Sequence, residues 1–290
     1  MLFNIGKQKI TTNNFIKDFL SKNKNDNLSL FNLASILYEQ LKEDILINNK
    51  QSKTKMLYTE WREVFKVSDE TDNKPDSKIK SSIKQVIENK RNALGDMVQD
   101  KIKDNKKEYI ALFAVYTAYS IFLKLVAYQV LCNIKKVSKN NQNIKDFMIT
   151  LESNKIFSDK NILNLLDGDY FQWYLEAMDT NKVLSDKVTS IKIKLASYEV
   201  DSKNIFVADI FRNFYEEYLN FDIRHSLGEY FTPIWLADYC LEEYEKNLGI
   251  VDNYKMIDNC CGSGAFVLAG INRKLKNNYS YNDIIENIVG

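Results

Sequence analysis

Residues that interrupt regular structure are scarce in this chain, which has two prolines and nine glycines in 290 positions. Against abundant Lys, Asn, Ile and Leu, so few breakers favour a mainly helical protein. Histidine is limited to His225, and the four cysteines (Cys132, Cys240, Cys260, Cys261) form no C-x-x-C spacing. Neither a metal centre nor a disulfide framework is indicated, which suits a reducing cytoplasm. Charge of one sign is also lacking: the net value of +1 gives no global case for a polyanion, so any nucleic-acid surface is a local patch. The opening "MLFNIGKQKITTNN" has no apolar h-region and no small-residue cleavage site, so no secretion signal is expected and the location expected is cytoplasmic.

What is present is a globular composition. Apolar residues make up 45% and aromatics 12%, enough to bury a core, and the length leaves room for two domains. One apolar stretch, "YIALFAVYTAYSIFLKLVAYQVL" from Tyr109 to Leu131, has the length of a bilayer span. Lys124 falls inside it, as do Thr117, Ser120 and Gln129, and basic residues flank both ends (Lys106 and Lys107; Lys135 and Lys136). Such a segment is expected to be the core helix of a soluble bundle, with no membrane partner.

Helical spacing dominates the first two-thirds. Leu30, Leu33, Leu37 and Leu41 recur on one face beside Ala34 and Ile45, and "MLYTEWREVFKV" continues through Trp61 and Phe65. After a polar loop at 68–78, Ile79, Ile83, Val86, Ile87, Leu94 and Val98 form a candidate stripe on a Lys-rich helix. A linker is expected at 137–143, after which Phe206, Ile210, Phe214 and Tyr218 share a face. In "TPIWLADYCLEEYEKNLG" Thr232 is expected as N-cap, Pro233 in the first turn and Gly249 at the end, with Leu236, Cys240, Tyr244 and Leu248 at helical spacing between them.

Then the period changes. "YKMI" reads as a short strand with Asp258 at its end, "CCGSG" as a turn, and "AFVLAGINRKLK" as a helix whose Phe266, Ala269 and Leu275 can face a sheet. Strand, acid, glycine turn and helix open a doubly wound α/β domain, in which ligands bind at the C-terminal ends of the strands. The turn is not a phosphate-binding P-loop, because no Lys follows the second glycine. Nor is it a dinucleotide fingerprint: Val267 occupies the third glycine position, and Gly270 comes a turn late for close strand–helix packing. A short turn at Gly262 and Gly264 behind a carboxylate suits a zwitterionic ligand such as the amino-acid end of S-adenosylmethionine. A plain structural turn fits the same residues, as a plain N-cap fits Thr232.

Taken together, "GEYFTP" at 228–233 and "DNCCGSGAFVL" at 258–268 resemble the paired motifs of the adenine-specific DNA methyltransferases of restriction–modification systems, the large type I- and type IIG-like group. These carry G-[EQ]-[YF]-[YF]-T-P, a helix, and D-P-x-C-G-S-G-x-F-L. Asn259 stands where the family usually has Pro, and Val267 where it usually has Leu. "FYEEYLNFDIRHSL" is similar to the family's lead-in, and "LYTEWREVFKV" and "LFAVYTAYSIFLKLVAYQVL" resemble pieces of its helical region.

The resemblance implies a helical domain over 1–136, a helical segment over 144–220, and the N-terminal part of a Rossmann-like S-adenosylmethionine-binding α/β domain over 221–290. It implies that Glu229, Tyr230, Phe231, Thr232, Pro233 and Ile234, with Asp258, Gly262, Ser263, Gly264 and Ala265, form the methionine half of a cofactor pocket. It implies double-stranded DNA as partner, adenine as the methylated base, and the remainder of the methyltransferase domain in the same or another chain. The family's [DN]-P-P-[YF] tetrapeptide, which holds a flipped adenine, does not occur among these residues. This chain alone is therefore expected to be inactive, and residues 250–290 to have an uncovered apolar sheet face. Two alternatives stand beside this reading: a non-catalytic helical module for DNA or partner recognition that keeps a remnant cofactor corner, and a methyltransferase acting on something other than DNA.

Other candidates are weaker on chemical grounds. Pro75, Asp76, Glu88 and Lys90 match a nuclease P-D…E-x-K spacing, but on a helix rather than on strands. The Lys-rich run from Lys78 to Lys107 could neutralise phosphates, yet Glu88, Asp96, Asp100 and Asp104 interrupt it and favour a solvated face. Arg224 and His225, just before the cofactor corner, are candidates for DNA contact or for anchoring the loop. Cys260 and Cys261 read as small residues in a tight turn.

Overall fold

The computed structural model describes residues 8–23, 25–47, 52–69, 77–135, 142–163, 165, 170–199, 210–249 and 255–289. The protein is mainly helical. The chain runs through β1 (Gln8–Lys9), α1 (Thr12–Phe19), α2 (Leu30–Lys42) with a π-helical extension (Glu43–Ile47), α3 (Lys53–Asp69), α4 (Ser77–Val98) and α5 (Asn105–Lys135). There follow α6 (Ile144–Glu152), α7 (Lys155–Ser158), a 3-10 turn (Tyr170–Trp173) leading into α8 (Tyr174–Ala177), α9 (Lys182–Leu195) and β2 (Tyr198–Glu199). Last come α10 (Ile210–Tyr218), α11 (Phe221–Ser226), α12 (Ile234–Leu248), β3 (Met256–Ile257), α13 (Ala265–Lys276), α14 (Tyr281–Asn287) and β4 (Ile288–Val289). These elements form two compact units, one of Met1–Val200 with Asn220–Leu227, the other of Asp201–Leu219 with Gly228–Gly290.

In the helical unit α5 is the central element, packed by α2, α4 and α9. Among the described residues it is the one helix long and apolar enough to cross a membrane, and 72% of its most apolar window is buried in the fold. Its buried polar residues each find a partner, because an unpaired buried charge costs several kcal/mol. The Lys124 ammonium lies 2.9 Å from a Glu152 carboxylate oxygen, and Tyr174 donates its hydroxyl to the same carboxylate at 2.6 Å. Thr117 accepts the indole N–H of Trp173 at 2.9 Å, and the Gln129 amide donates to the Tyr198 carbonyl at 2.9 Å.

The apolar row Leu30, Leu33, Leu37 and Leu41 is fully buried on α2. On α4 the buried side is Lys90, Ala93, Leu94, Met97 and Val98, while Ile87 is turned to solvent; the side chains of Ile79 and Ile83 lie outside the described set. Of the described positions of the expected stripe, Leu94 and Val98 are buried, Val86 is half-buried and Ile87 is not, while Lys90 is held inside by the Glu108 carboxylate at 2.8 Å. A feature beyond the periodicity argument is the parallel pairing of β1 with β2, Gln8 opposite Tyr198 and Lys9 opposite Glu199. The expected linkers at 68–78 and 137–143, Pro75, Asp76 and Phe206 fall wholly or mostly outside the described residues.

The second unit is smaller. β3 and β4 pair in parallel, Met256 opposite Ile288 and Ile257 opposite Val289, with α13 and α14 forming the connection. Met256 and Ile288 turn toward Gly270 of α13, while Ile257 and Val289 are 76% and 55% exposed. One face of the strand pair is thus packed and the other open. A parallel sheet is ordinarily covered on both.

Candidate functional site

The glycine turn follows β3 directly. The Asp258 N–H donates to the Val289 carbonyl at 2.8 Å, extending the strand pairing by one bond. Its carboxylate then turns forward and accepts the Cys260 N–H at 3.2 Å. Gly262 and Gly264 have φ of 53° and 82°, a conformation that disfavours any Cβ. Gly264 closes the turn by donating to the Cys261 carbonyl at 2.7 Å. A Cβ at Gly262 or Gly264 would meet no atom within 4 Å, so these glycines serve the backbone path and leave open space above it. Ser263 lies between them, half-buried, and the Cys260 side chain is exposed rather than packed.

α13 begins at Ala265 with Gly264 as N-cap and no side-chain cap. Its first N–H groups have no acceptor within the helix, an arrangement that favours an anionic group. α12 is similar. Its N-cap is Pro233, not Thr232, and no side chain caps it. The shift of one residue follows from the extended backbone at Pro233, ψ 141°, which leaves Thr232 outside the helix. At the other end Gly249 adopts φ 62° as expected of a terminal glycine.

The two helix starts meet. Ala237 from the first turn of α12 and Ala265 and Ala269 from α13 form one buried cluster, with Ile234, Leu241 and Phe266 packed on it. Small residues let the helices approach closely. The packing row on α12 is therefore Ile234, Ala237 and Leu241; Tyr244 and Leu248 of the other row are 50% and 53% exposed. Arg273 clips the same helices together. Its Nη1 donates to Asp238 at 2.8 Å and its Nε to Glu245 at 3.1 Å, with a second bond from Nη2 to Glu245. The bond to Glu245, only partly offset by burial and reinforced by Asp238, pushes the guanidinium further up from its usual value.

Gly270 corrects one expectation. It is not too late for close packing: a Cβ there would stand 2.9 Å from Met256 Sδ and 3.3 Å from Ile288 Cδ1. Gly270 is what faces the strands, whereas Phe266 and Ala269 face α12.

The Gly228–Pro233 loop is held by α10. Tyr215 donates its hydroxyl to Glu229 Oε2 at 2.7 Å, and its ring meets Phe231 edge to face, centroids 5.5 Å apart. The Arg212 guanidinium pairs with Glu216 at 3.1 Å and reaches the Thr232 carbonyl at 3.4 Å. Tyr230 is 68% exposed. None of these α10 contacts is legible in the motif itself; the only cue is a run of aromatics and acids in "FRNFYEEY".

Glu229 through Ile234 and Asp258 through Ala265 thus belong to one unit, with their following helices in contact. Arg224 and His225 do not: they sit on α11, in the helical unit, where the His225 ring stacks on Phe221 at 5.5 Å. Of the nuclease-like spacing, Pro75 and Asp76 lie outside the described residues. Lys90 is buried against Glu108 and Glu88 is exposed on the other side of α4, so the two do not converge. Among the described residues no group of three His, Cys, Asp or Glu side chains could hold a metal ion.

These residues fit the amino-acid end of S-adenosylmethionine on three counts. There is open space above Gly262 and Gly264, the N–H groups at the start of α13 have no side-chain cap and suit a carboxylate, and Asp258, bonded to the Cys260 N–H of the turn, brings a carboxylate that suits an ammonium. Compared with protein-family models, curated proteins and solved structures, the chain matches none.

Proposed function

We propose that the chain provides the methyl-donor corner of an adenine-specific DNA methyltransferase of a restriction–modification system, at the opening of a Rossmann-like α/β domain. The observation that carries this reading is the packing of Ile234 and Ala237 against Ala265 and Phe266, which sets "GEYFTP" and "CCGSG" at adjoining helix starts. S-adenosylmethionine, when bound, supplies a sulfonium-activated methyl group. The chain's own part is to bind and orient: the N–H groups of Ala265 and Phe266 toward the carboxylate, Asp258 and Glu229 toward the ammonium, and Tyr230 and Phe231 as a wall. DNA as substrate, adenine as target and completion by further methyltransferase residues are part of the proposal, and no residue in this chain is assigned the transfer step.

Calorimetric titration of S-adenosylmethionine into the full chain tests it, beside a Gly264→Trp variant that fills the space above the turn. Circular dichroism checks that the variant remains folded. Binding by the wild type and loss of at least 10-fold in the variant support the reading; equal affinities, or no binding by the wild type, defeat it.

A further inference from the structure

Tyr215 lies well before the motif it touches, and a segment of the other unit, Asn220–Leu227, intervenes in sequence. It nevertheless engages two motif residues at once, through different parts of one side chain. The hydroxyl reaches Glu229 Oε2 at 2.7 Å; the ring meets Phe231 at 89° and 5.5 Å. It is only 9% exposed, and its neighbour Phe214 is fully buried, so the helix carrying it is anchored. One helical turn before it, Arg212 holds the Thr232 carbonyl at 3.4 Å and is itself fixed by Glu216. Glu229, Phe231 and Thr232 are thereby tied to a single short helix. Gly228, with φ 69°, is the joint at which the chain enters this held segment.

A loop that must accept a flexible, charged amino-acid end gains from being ordered beforehand, because ordering on binding is paid from affinity. Resting on the methyl-donor reading above, we propose that Tyr215 is a positioning residue of that site: its hydroxyl orients the Glu229 carboxylate and its ring fixes Phe231, so that the loop meets the ligand already shaped. Tyr215 does not touch the ligand. It acts through Glu229 and Phe231.

The test uses the full chain with Tyr215→Phe, which keeps the ring against Phe231 and removes only the hydroxyl. S-adenosylmethionine affinity is expected to fall about 3- to 10-fold, less than the full worth of a hydrogen bond to a carboxylate because the hydroxyl acts on the ligand only through Glu229. The same substitution made in a Glu229→Ala background should then cost little further, since the carboxylate that the hydroxyl orients is gone. A merely structural role would give additive losses. Full affinity in Tyr215→Phe, or equal losses in both backgrounds, overturns the proposal. Hydrogen exchange on the ligand-free protein separates this from the methyl-donor reading: amides of Glu229 to Thr232 should exchange several-fold faster in Tyr215→Phe. If the wild type fails to bind S-adenosylmethionine, the functional reading falls, and faster exchange still upholds the hold of Tyr215 on the loop. Unchanged exchange removes that hold as well.

Discussion

Gly270 on α13 and Met256 on β3 stand so close that the smallest side chain would press a Cβ to within 2.9 Å of the methionine sulfur. The helix backbone there meets the side chains of Met256 and Ile288. Gly270→Ala should therefore not yield the gain of about 0.5–1 kcal/mol that alanine brings to an unobstructed helix interior. Gly270→Leu should cost about 2–3 kcal/mol by overpacking. Denaturant unfolding followed by a signal from the smaller unit reads both. The full gain in Gly270→Ala would mean that the Met256 and Ile288 side chains move aside without cost.

The buried pair of Lys124 and Glu152, each about 5% exposed with Tyr174 completing the carboxylate, makes a second prediction. Lys124→Met leaves an uncompensated carboxylate in the core and should cost about 3–5 kcal/mol. Replacing both by methionine should recover much of that loss, because no charge is then left behind. Urea denaturation of the two variants checks the ordering. A single variant as stable as the double one would contradict the pairing.

Asp100 links stability to acid. Burial raises its carboxyl, but hydrogen bonds from Lys107 and Tyr38 outweigh that and hold it well below the ordinary carboxylate range. Because the folded value lies below the unfolded one, its stabilisation is complete above the unfolded value of about 4 and fades as pH falls further. Asp100→Asn should be less stable than wild type at pH 7 by about 1–3 kcal/mol. The gap should narrow steadily below about pH 4. Thermal melts across pH 2–7 measure it, and a gap independent of pH would contradict the assignment.

What could be read from the sequence was what depends on local period and punctuation. The leucine row of α2 and the buried course of α5 follow from helical spacing and from polar residues that demand partners. The end of α12 follows from a glycine that can adopt positive φ. What could not be read depends on contacts between distant segments. Ile87 fits the stripe on α4 by spacing yet is exposed, and Lys90, a charge, is buried because Glu108 on the next helix pairs with it. Two-residue strands such as β1 and β2 carry no alternation to detect. Gly270 lies one turn beyond the third glycine position but on the same side of α13, and only the placement of Met256 and Ile288 shows that the strands meet the helix there. Tyr215 was hidden because its partners are in a loop whose shape the motif alone does not fix.

If the "GEYFTP" loop and the glycine turn grip one ligand together, as proposed, hydrogen exchange with and without S-adenosylmethionine will report both at once. Simultaneous protection of the amides of 229–232 and 234 and of 262–267 is expected, with the helical unit unchanged. Protection confined to one of the two segments, or absent from both at saturating ligand, would contradict it.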